Sequence, residues 1–327
     1  YDDAGGVFPL IYTPLAASTA TTIDENNSAR NKSGNVASAK RWVSDNRESL
    51  VLALAQHGAL LFRGFGIETD FEFDDFIGAF ELPNFTYAES LSNAVRRNRT
   101  ERVFTANEAP PSVSIFLHHE MAQTPVYPSK LFFFCEHAQM TGGATPLCRS
   151  DVLLAELTKV RPGFVAACEQ LGVRYSNTMP LEDDLASGQG RSWRSTLSVA
   201  DKAAAEEKLT GLGYSWQWQD DQSLRVTTPS LPAVRTLDDG RKVFFNQLIA
   251  AFRGWKDARN SAEKSICFGD STAIDAADMA VAIALADELS YDTPWQSGDV
   301  ALVDNFLVMH GRRPFEGERR ILASLVG

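Results

Sequence analysis

Five histidines occur in this chain, and two of them stand side by side in Leu117-His118-His119-Glu120-Met121, directly before a carboxylate. On an extended strand successive side chains point to opposite faces, so His118 and Glu120 share one face and His119 takes the other. An imidazole and a carboxylate converging from one strand supply two ligands of the 2-His-1-carboxylate triad of non-haem Fe(II) sites. The third ligand has to be a distant histidine, and His310 is the candidate. The same donors also suit zinc, since a two-histidine, one-carboxylate set does not discriminate between the metals. A His-x-Glu triplet is common by chance and also reads as a surface pair at a strand edge, so the surrounding segments must decide. Of the other histidines, His57 falls in the last turn of a helix, where a cation suits the helix dipole. His137 falls at the polar end of a strand, facing solvent.

Positioning such a set requires strands, and the chain has several. Spacing of Trp42, Val43, Leu50, Leu52 and Leu54 predicts a helix over 36–57 stopped by Gly58. A short apolar strand over 59–65 follows, then a helix over 70–80 with a Phe-rich face that reads as core. The Arg-rich run 95–99 reads as a solvated loop, and 105–111 as a rigid approach to the His118 strand. Lys130-Leu131-Phe132-Phe133-Phe134-Cys135 is a buried strand, and Gly142-Gly143 a tight connection to the next. Two helices divided by Pro162-Gly163 occupy 151–171, and 173–175 is strand-like. The Gly- and Asp-rich segment 181–196 is long enough to be a lid or binding loop. A helix over 200–212, a β-rich tract over 214–245 and a helix over 276–289 precede the 298–305 run that leads to His310, and a strand over 320–325 closes the chain. No repeat or linker divides it. The expectation is an α+β chain with a sandwich or barrel core: an extended arm over 1–36 and one domain over 37–327.

The net charge of −11 argues against a nucleic-acid partner, because no basic surplus exists to replace counterions on phosphate. No apolar run reaches membrane-spanning length, so no membrane partner is expected. Cys135, Cys148, Cys168 and Cys267 form no C-x-x-C pair and sit in apolar settings, which suits free thiols in a reducing compartment. A cytoplasmic location is the default; the chain opens Tyr1-Asp2-Asp3 without Met, which leaves room for a removed targeting segment.

Three strings carry a more specific signal: FLHHEMAQTPVYPSKLFFFCE, then GGATPL, then PWQSGDVALVDNFLVMHGRRPFEGERRILASL. In order and spacing they resemble the clavaminate synthase-like branch of the taurine dioxygenase (TauD/TfdA-like) family of Fe(II)- and 2-oxoglutarate-dependent oxygenases. The resemblance implies a double-stranded β-helix (jelly roll) with peripheral helices. It implies Fe(II), 2-oxoglutarate and O₂ as cofactor and co-substrates. His118 and Glu120 fall on the family's His-x-Asp/Glu pair and His310 on its distal histidine. Thr145 falls on the hydroxyl that meets the tail carboxylate of 2-oxoglutarate, and Arg320 on the arginine that holds the same carboxylate, with Arg319 on the opposite face. A guanidinium fork suits a fixed carboxylate.

The implied reaction is oxidative decarboxylation of the co-substrate, generating an oxidant that takes hydrogen from an unactivated C–H. With Glu120 present no ligand position is left for chloride, so hydroxylation is expected over halogenation. Desaturation or ring closure starts from the same hydrogen abstraction. Asn107, Ser114, Arg191, Trp193, Arg194, Phe245, Asn246 and Arg312 lie in segments that line the pocket of similar enzymes. Arg191 and Arg194 would suit a small, carboxylated, amino-acid-like substrate of natural-product biosynthesis, and Arg253 is a further carboxylate partner to consider. Met121 and Met309 read as core. Two other readings use the same ligands: a non-catalytic metal-binding jelly roll and a zinc hydrolase.

Overall fold

The computed structural model describes residues 7–14, 28–85, 91, 96–106, 109–184, 190–255, 259–261 and 265–327. Two β-sheets organise it. One has six strands in the order Leu10–Tyr12, Ala59–Phe62, Val300–Asp304, Lys130–Gly142, Phe315–Val326 and Phe104–Thr105. All its pairs are antiparallel except the first. The other is fully antiparallel, in the order Tyr291–Thr293, Thr145–Arg149, Val308–Arg312, Ile115–His118.

The period-2 alternation of the strands sorts side chains into three layers. Leu131, Phe133 and Cys135 point inward and meet Ile321, Ala323, Ala301 and Val303 of their own sheet and Leu147 and Val308 of the second. Phe132 and Phe134 point outward and are covered by Val43, Leu50 and Leu54 of the helix Ser28–His57 and Phe73 and Phe76 of the helix Asp70–Gly78. Thr69 caps that second helix and Glu72 reaches back to its amide, so its start is fixed by a reciprocal capping box. On the outer face of the second sheet Leu117, Cys148 and Met309 lie under the helices Ser150–Val160, Pro162–Leu171, Leu248–Gly254 and Ala276–Glu288. A third, four-stranded sheet, Ile266–Phe268, Val173–Met179, Leu224–Thr227, Ser215–Trp218, stands beside this core.

Most expected elements occur within a few residues of their predicted bounds. The N-terminal reading needs correction: the first helix begins at Ser28, inside the expected arm, and Leu10–Tyr12 is a sheet strand paired with Leu60–Phe62. Apolar pattern could not find the early turns of a helix that has no apolar face there. Met121 and Met309 are core, as expected. All four cysteines are free thiols, and burial pushes those of Cys135, Cys148 and Cys168 up to about 12, which keeps them protonated and inert. Among the described residues no helix is long and apolar enough to cross a membrane.

Candidate metal and co-substrate site

His118 and His310 lie directly opposite one another in the antiparallel pair of Ile115–His118 with Val308–Arg312. Opposed residues put their side chains on the same face, and the two rings meet inside the core with centroids 4.3 Å apart. Register, set by two strands almost two hundred residues apart, brings the histidines together. Gly311 permits it: a Cβ there would lie 2.4 Å from the Ile115 carbonyl oxygen, where the strand pairing shifts register.

Glu120 reaches the same point by a different route from the one strand alternation predicts. The strand ends at His118 and the chain turns. The turn is held from below: the Glu120 amide donates to Asn305 Oδ1 at 2.7 Å, and Asn305 Nδ2 donates to the carbonyls of Glu120 and Pro128 at 3.0 and 2.8 Å. Gln247 Nε2 donates to the His119 carbonyl at 2.9 Å. The turn closes on Met121 at φ 59°, a left-handed conformation that costs a β-carbon residue of order 1 kcal/mol and persists because its neighbours are clamped. His119 points away from the site, as expected, and is buried between the carbonyls of Asn305 and Phe244.

Donor atoms of His118, Glu120 and His310 all lie within 4.8 Å of one another. The His118 Nδ1–H donates to the Phe116 carbonyl at 2.7 Å, which fixes the tautomer and leaves the Nε2 lone pair for the cavity. Burial, reinforced by the neighbouring His310, pushes the His118 imidazole down to about 4, so it is neutral at physiological pH. Burial opposes the ionised form of Glu120, but the Arg96 charge and the His310 ring hold its carboxyl well below the usual range. A neutral His118 imidazole and an ionised Glu120 carboxylate are the states in which each can bind a divalent ion. The residues present therefore fit Fe(II).

These groups open into a cavity of about 170 Å³. At its other end Thr145 Oγ1 accepts from Trp295 Nε1 at 3.0 Å and from Arg319 Nη2 at 3.3 Å. A hydroxyl that accepts two hydrogen bonds has its own proton left to donate. Arg319 Nε donates to the Gly143 carbonyl at 2.8 Å. Burial pushes its guanidinium down to about 10, and no carboxylate pairs with it among the described residues.

Arg319 replaces Arg320 as the inward cation. Arg319 lines the cavity together with Ile321 and Ala323, two and four positions on. Arg320 points out, is 51% exposed, and meets Glu318 and Glu136 at 3.2 and 3.4 Å. The partner strand carries the register irregularity, with Arg320 opposite His137 and Ile321 opposite Cys135, so alternation along Phe315–Val326 runs unbroken through the site.

Other expected residues divide. Ser114 lines the cavity. Arg312 lines it too, but its guanidinium donates to the carbonyls of Ala109, Pro110 and Val113, which makes it the brace of the loop that carries Ser114. Arg191, Trp193, Arg194, Phe245 and Asn246 do not line it. Arg191 is spent on Ser195, Trp193 is buried against Trp218, and Arg194 stacks on the Trp193 ring at the surface. Asn246 bonds the Ala233 carbonyl and the Leu248 amide, and Phe245 packs among His119, Tyr127 and Phe306. Arg253 pairs with Asp287. Asn107, and 185–189 of the expected lid, lie outside the described residues. His57 bonds the Val7 carbonyl, and His137 is half-buried near Glu318.

Sequence reasoning missed Trp295, Asn305, Gln247 and Arg96. Arg96, assigned to a solvated loop, is buried at the site with Nη2 at 2.9 and 3.1 Å from the two Glu120 oxygens. Nothing in a run of arginines marks which one turns inward.

A buried two-histidine, one-carboxylate set and an uncompensated arginine, facing each other between two sheets, describe an oxygenase with a small acidic co-substrate. The chain belongs to the taurine catabolism dioxygenase TauD, TfdA family, whose pattern matches residues 23–325. It is similar to a clavaminate synthase-like protein of Arabidopsis thaliana, 40% identical over 273 residues that make up 83% of this chain and 82% of that one. It is also similar to the dapdiamide synthesis protein DdaC of Enterobacter agglomerans, 29% identical over 290 residues, 84% and 83% of the two chains. In fold it resembles a taurine dioxygenase from Burkholderia xenovorans, with a TM-score of 0.50 at 15% identity over 86% of this chain and 80% of that one. The protein is accordingly a 2-oxoglutarate-dependent dioxygenase, using Fe(II), 2-oxoglutarate and O₂.

Proposed function

We propose that the two sheets form a double-stranded β-helix and that the enzyme oxidises an unactivated C–H of a small, carboxylated, amino-acid-like molecule. Hydroxylation is the default outcome, and desaturation or oxidative ring closure begins with the same hydrogen abstraction. His118, Glu120 and His310 would hold Fe(II), which supplies O₂ activation coupled to decarboxylation of the co-substrate. Arg319 would grip the far carboxylate of 2-oxoglutarate, and Thr145, held by Trp295, would donate its hydroxyl to the same group.

The observation that carries the substrate class is charge. Among the described residues lining the cavity stand three guanidiniums, Arg96, Arg312 and Arg319, against one carboxylate, Glu120. A ferrous ion and the 2-oxoglutarate dianion cancel one another, so the field of these guanidiniums favours an anionic primary substrate. The similarity to DdaC, a dapdiamide synthesis protein, supports a place in natural-product biosynthesis.

The test is anaerobic loading with Fe(II) and 2-oxoglutarate, read by the weak visible band of the chelate, followed by succinate release across carboxylated and uncharged amino-acid derivatives. Turnover confined to uncharged members would overturn the substrate class. A missing band in folded, iron-loaded protein would overturn the oxygenase assignment of the site.

A further inference from the structure

Glu120 is the one anionic member of the ligand set, and in this structure it already has a cation. Arg96 Nη2 lies between its two oxygens at 2.9 and 3.1 Å, with both side chains more than nine-tenths buried. The Arg96 guanidinium rests over the Phe104 ring, 5.1 Å from its centroid, and lines the cavity. His310 Nε2 approaches Glu120 Oε2 at 3.5 Å from the other side. An ion entering between His118, His310 and Glu120 must therefore take an oxygen that the guanidinium engages, and must come to rest near a positive charge.

We propose that Arg96 is the resident counter-cation of Glu120: it neutralises the buried carboxylate before the metal arrives and competes with the metal for it. The inference rests on His118, Glu120 and His310 being the metal ligands. Without Arg96 the metal-free protein would bury an unpaired carboxylate, a strongly destabilising state. With the metal in place the guanidinium is a liability. A guanidinium held on the ligand carboxylate repels an arriving divalent ion, and the competition should cost at least about tenfold in affinity. Arg96 displaced from Glu120 would still line the cavity, where an anionic substrate could approach it.

The test uses Co(II) as a visible, redox-stable probe with the full chain, its Arg96→Gln and Arg96→Lys variants, and melting curves with and without the ion. Arg96→Gln should melt below wild type when metal-free, gain more from Co(II) than wild type gains, and bind Co(II) at least tenfold more tightly. Arg96→Lys should fall between. If metal-free Arg96→Gln does not fold, the double variant Arg96→Gln/Glu120→Gln, which removes both charges, should restore folding. Co(II) affinity equal to or weaker than wild type in Arg96→Gln overturns the competition and leaves Arg96 as an orienting residue. Co(II) binding to wild type that survives His310→Ala unchanged sinks the underlying ligand set instead.

Discussion

Arg319 and Arg320 are neighbours on one strand with opposite surroundings, which makes them a matched pair for testing how the co-substrate is held. Arg319 has its Nε on the Gly143 carbonyl and one Nη on Thr145 Oγ1, with its remaining donors turned to the cavity and no acidic partner among the described residues. Truncating one member of a buried, hydrogen-bonded charge pair costs about 2–5 kcal/mol, because the other charge stays buried. Arg319→Ala should therefore weaken 2-oxoglutarate by roughly 30- to 5,000-fold at about 1.4 kcal/mol per decade. Arg320 holds Glu318 and Glu136 in an exposed cluster, where pairs contribute about 0–1 kcal/mol. Arg320→Ala should leave co-substrate affinity within about twofold of wild type. The assay is anaerobic titration of the Fe(II) protein with 2-oxoglutarate, following the chelate band. A large loss in Arg320→Ala with little in Arg319→Ala would refute the facing of the strand, and with it the reasoning built on Thr145 and Trp295.

Trp295→Phe removes one of the two donors to Thr145 and frees its hydroxyl to rotate, so 2-oxoglutarate affinity should fall by about threefold to tenfold, as expected for one net hydrogen bond. Thr145→Val should lose more still, and wild-type affinity in Thr145→Val would count against the hydroxyl as a donor. Asn305→Ala uncouples the Glu120 turn from its clamp and should cost about 1–3 kcal/mol in the metal-free protein by denaturant melt, while weakening Co(II) by about tenfold. Burial pushes His119 down to about 3 and His118 to about 4, against about 6.5 unfolded. The unfolded chain then binds protons that the fold excludes, so stability is full above about pH 6.5 and falls as pH drops toward 4. Between pH 6.5 and 5 the metal-free protein should lose about 2–4 kcal/mol by urea unfolding. A flat profile over that interval would mean that the two rings are charged in the fold.

What was legible in the sequence was whatever short-range spacing encodes. His118 with Glu120, the Phe-rich strand over 130–135 and the helices flanking Pro162-Gly163 follow from local pattern and occur where expected. Even there the physical reason differs: Glu120 faces His118 because a turn clamped by Asn305 and Gln247 aims it, and strand alternation predicts the same facing only by coincidence. Pattern does not separate Arg319 from Arg320, because the closing strand is apolar on both faces. Ile321 and Ala323 look into the core while Leu322 packs under helices, so hydrophobic pattern alone does not say which arginine follows the inner set. Arg191 and Arg194 are cations on a long polar segment, yet a short helix and Ser195 absorb the first and the Trp193 face the second. Chemistry of a residue type is readable from a sequence; whether a long side chain is already spent on a neighbour depends on the fold.

That distinction bears on what the cavity selects. Arg312 is spent on three carbonyls, so its charge contributes field but few donors to a ligand, whereas Arg319 keeps donors in reserve. On the proposal above, a metal that claims the Glu120 carboxylate turns Arg96 from that partner toward the rest of the cavity. The cavity therefore has one standing anion site and a second that depends on the metal. A co-substrate dianion can occupy the first through Arg319 and Thr145 whenever the ion is present to take its other end. A carboxylated primary substrate would find its partner in Arg96 only in the metal-loaded enzyme. Affinity for such a substrate should consequently be lost on metal removal even where the substrate makes no bond to the ion, and isothermal titration of a turnover-competent carboxylate into Co(II)-loaded and chelator-treated protein measures this directly. Equal affinity in the two forms would show that Arg96 is not the substrate's partner and would assign that role to the remaining polar wall, Ser114 and Gln123.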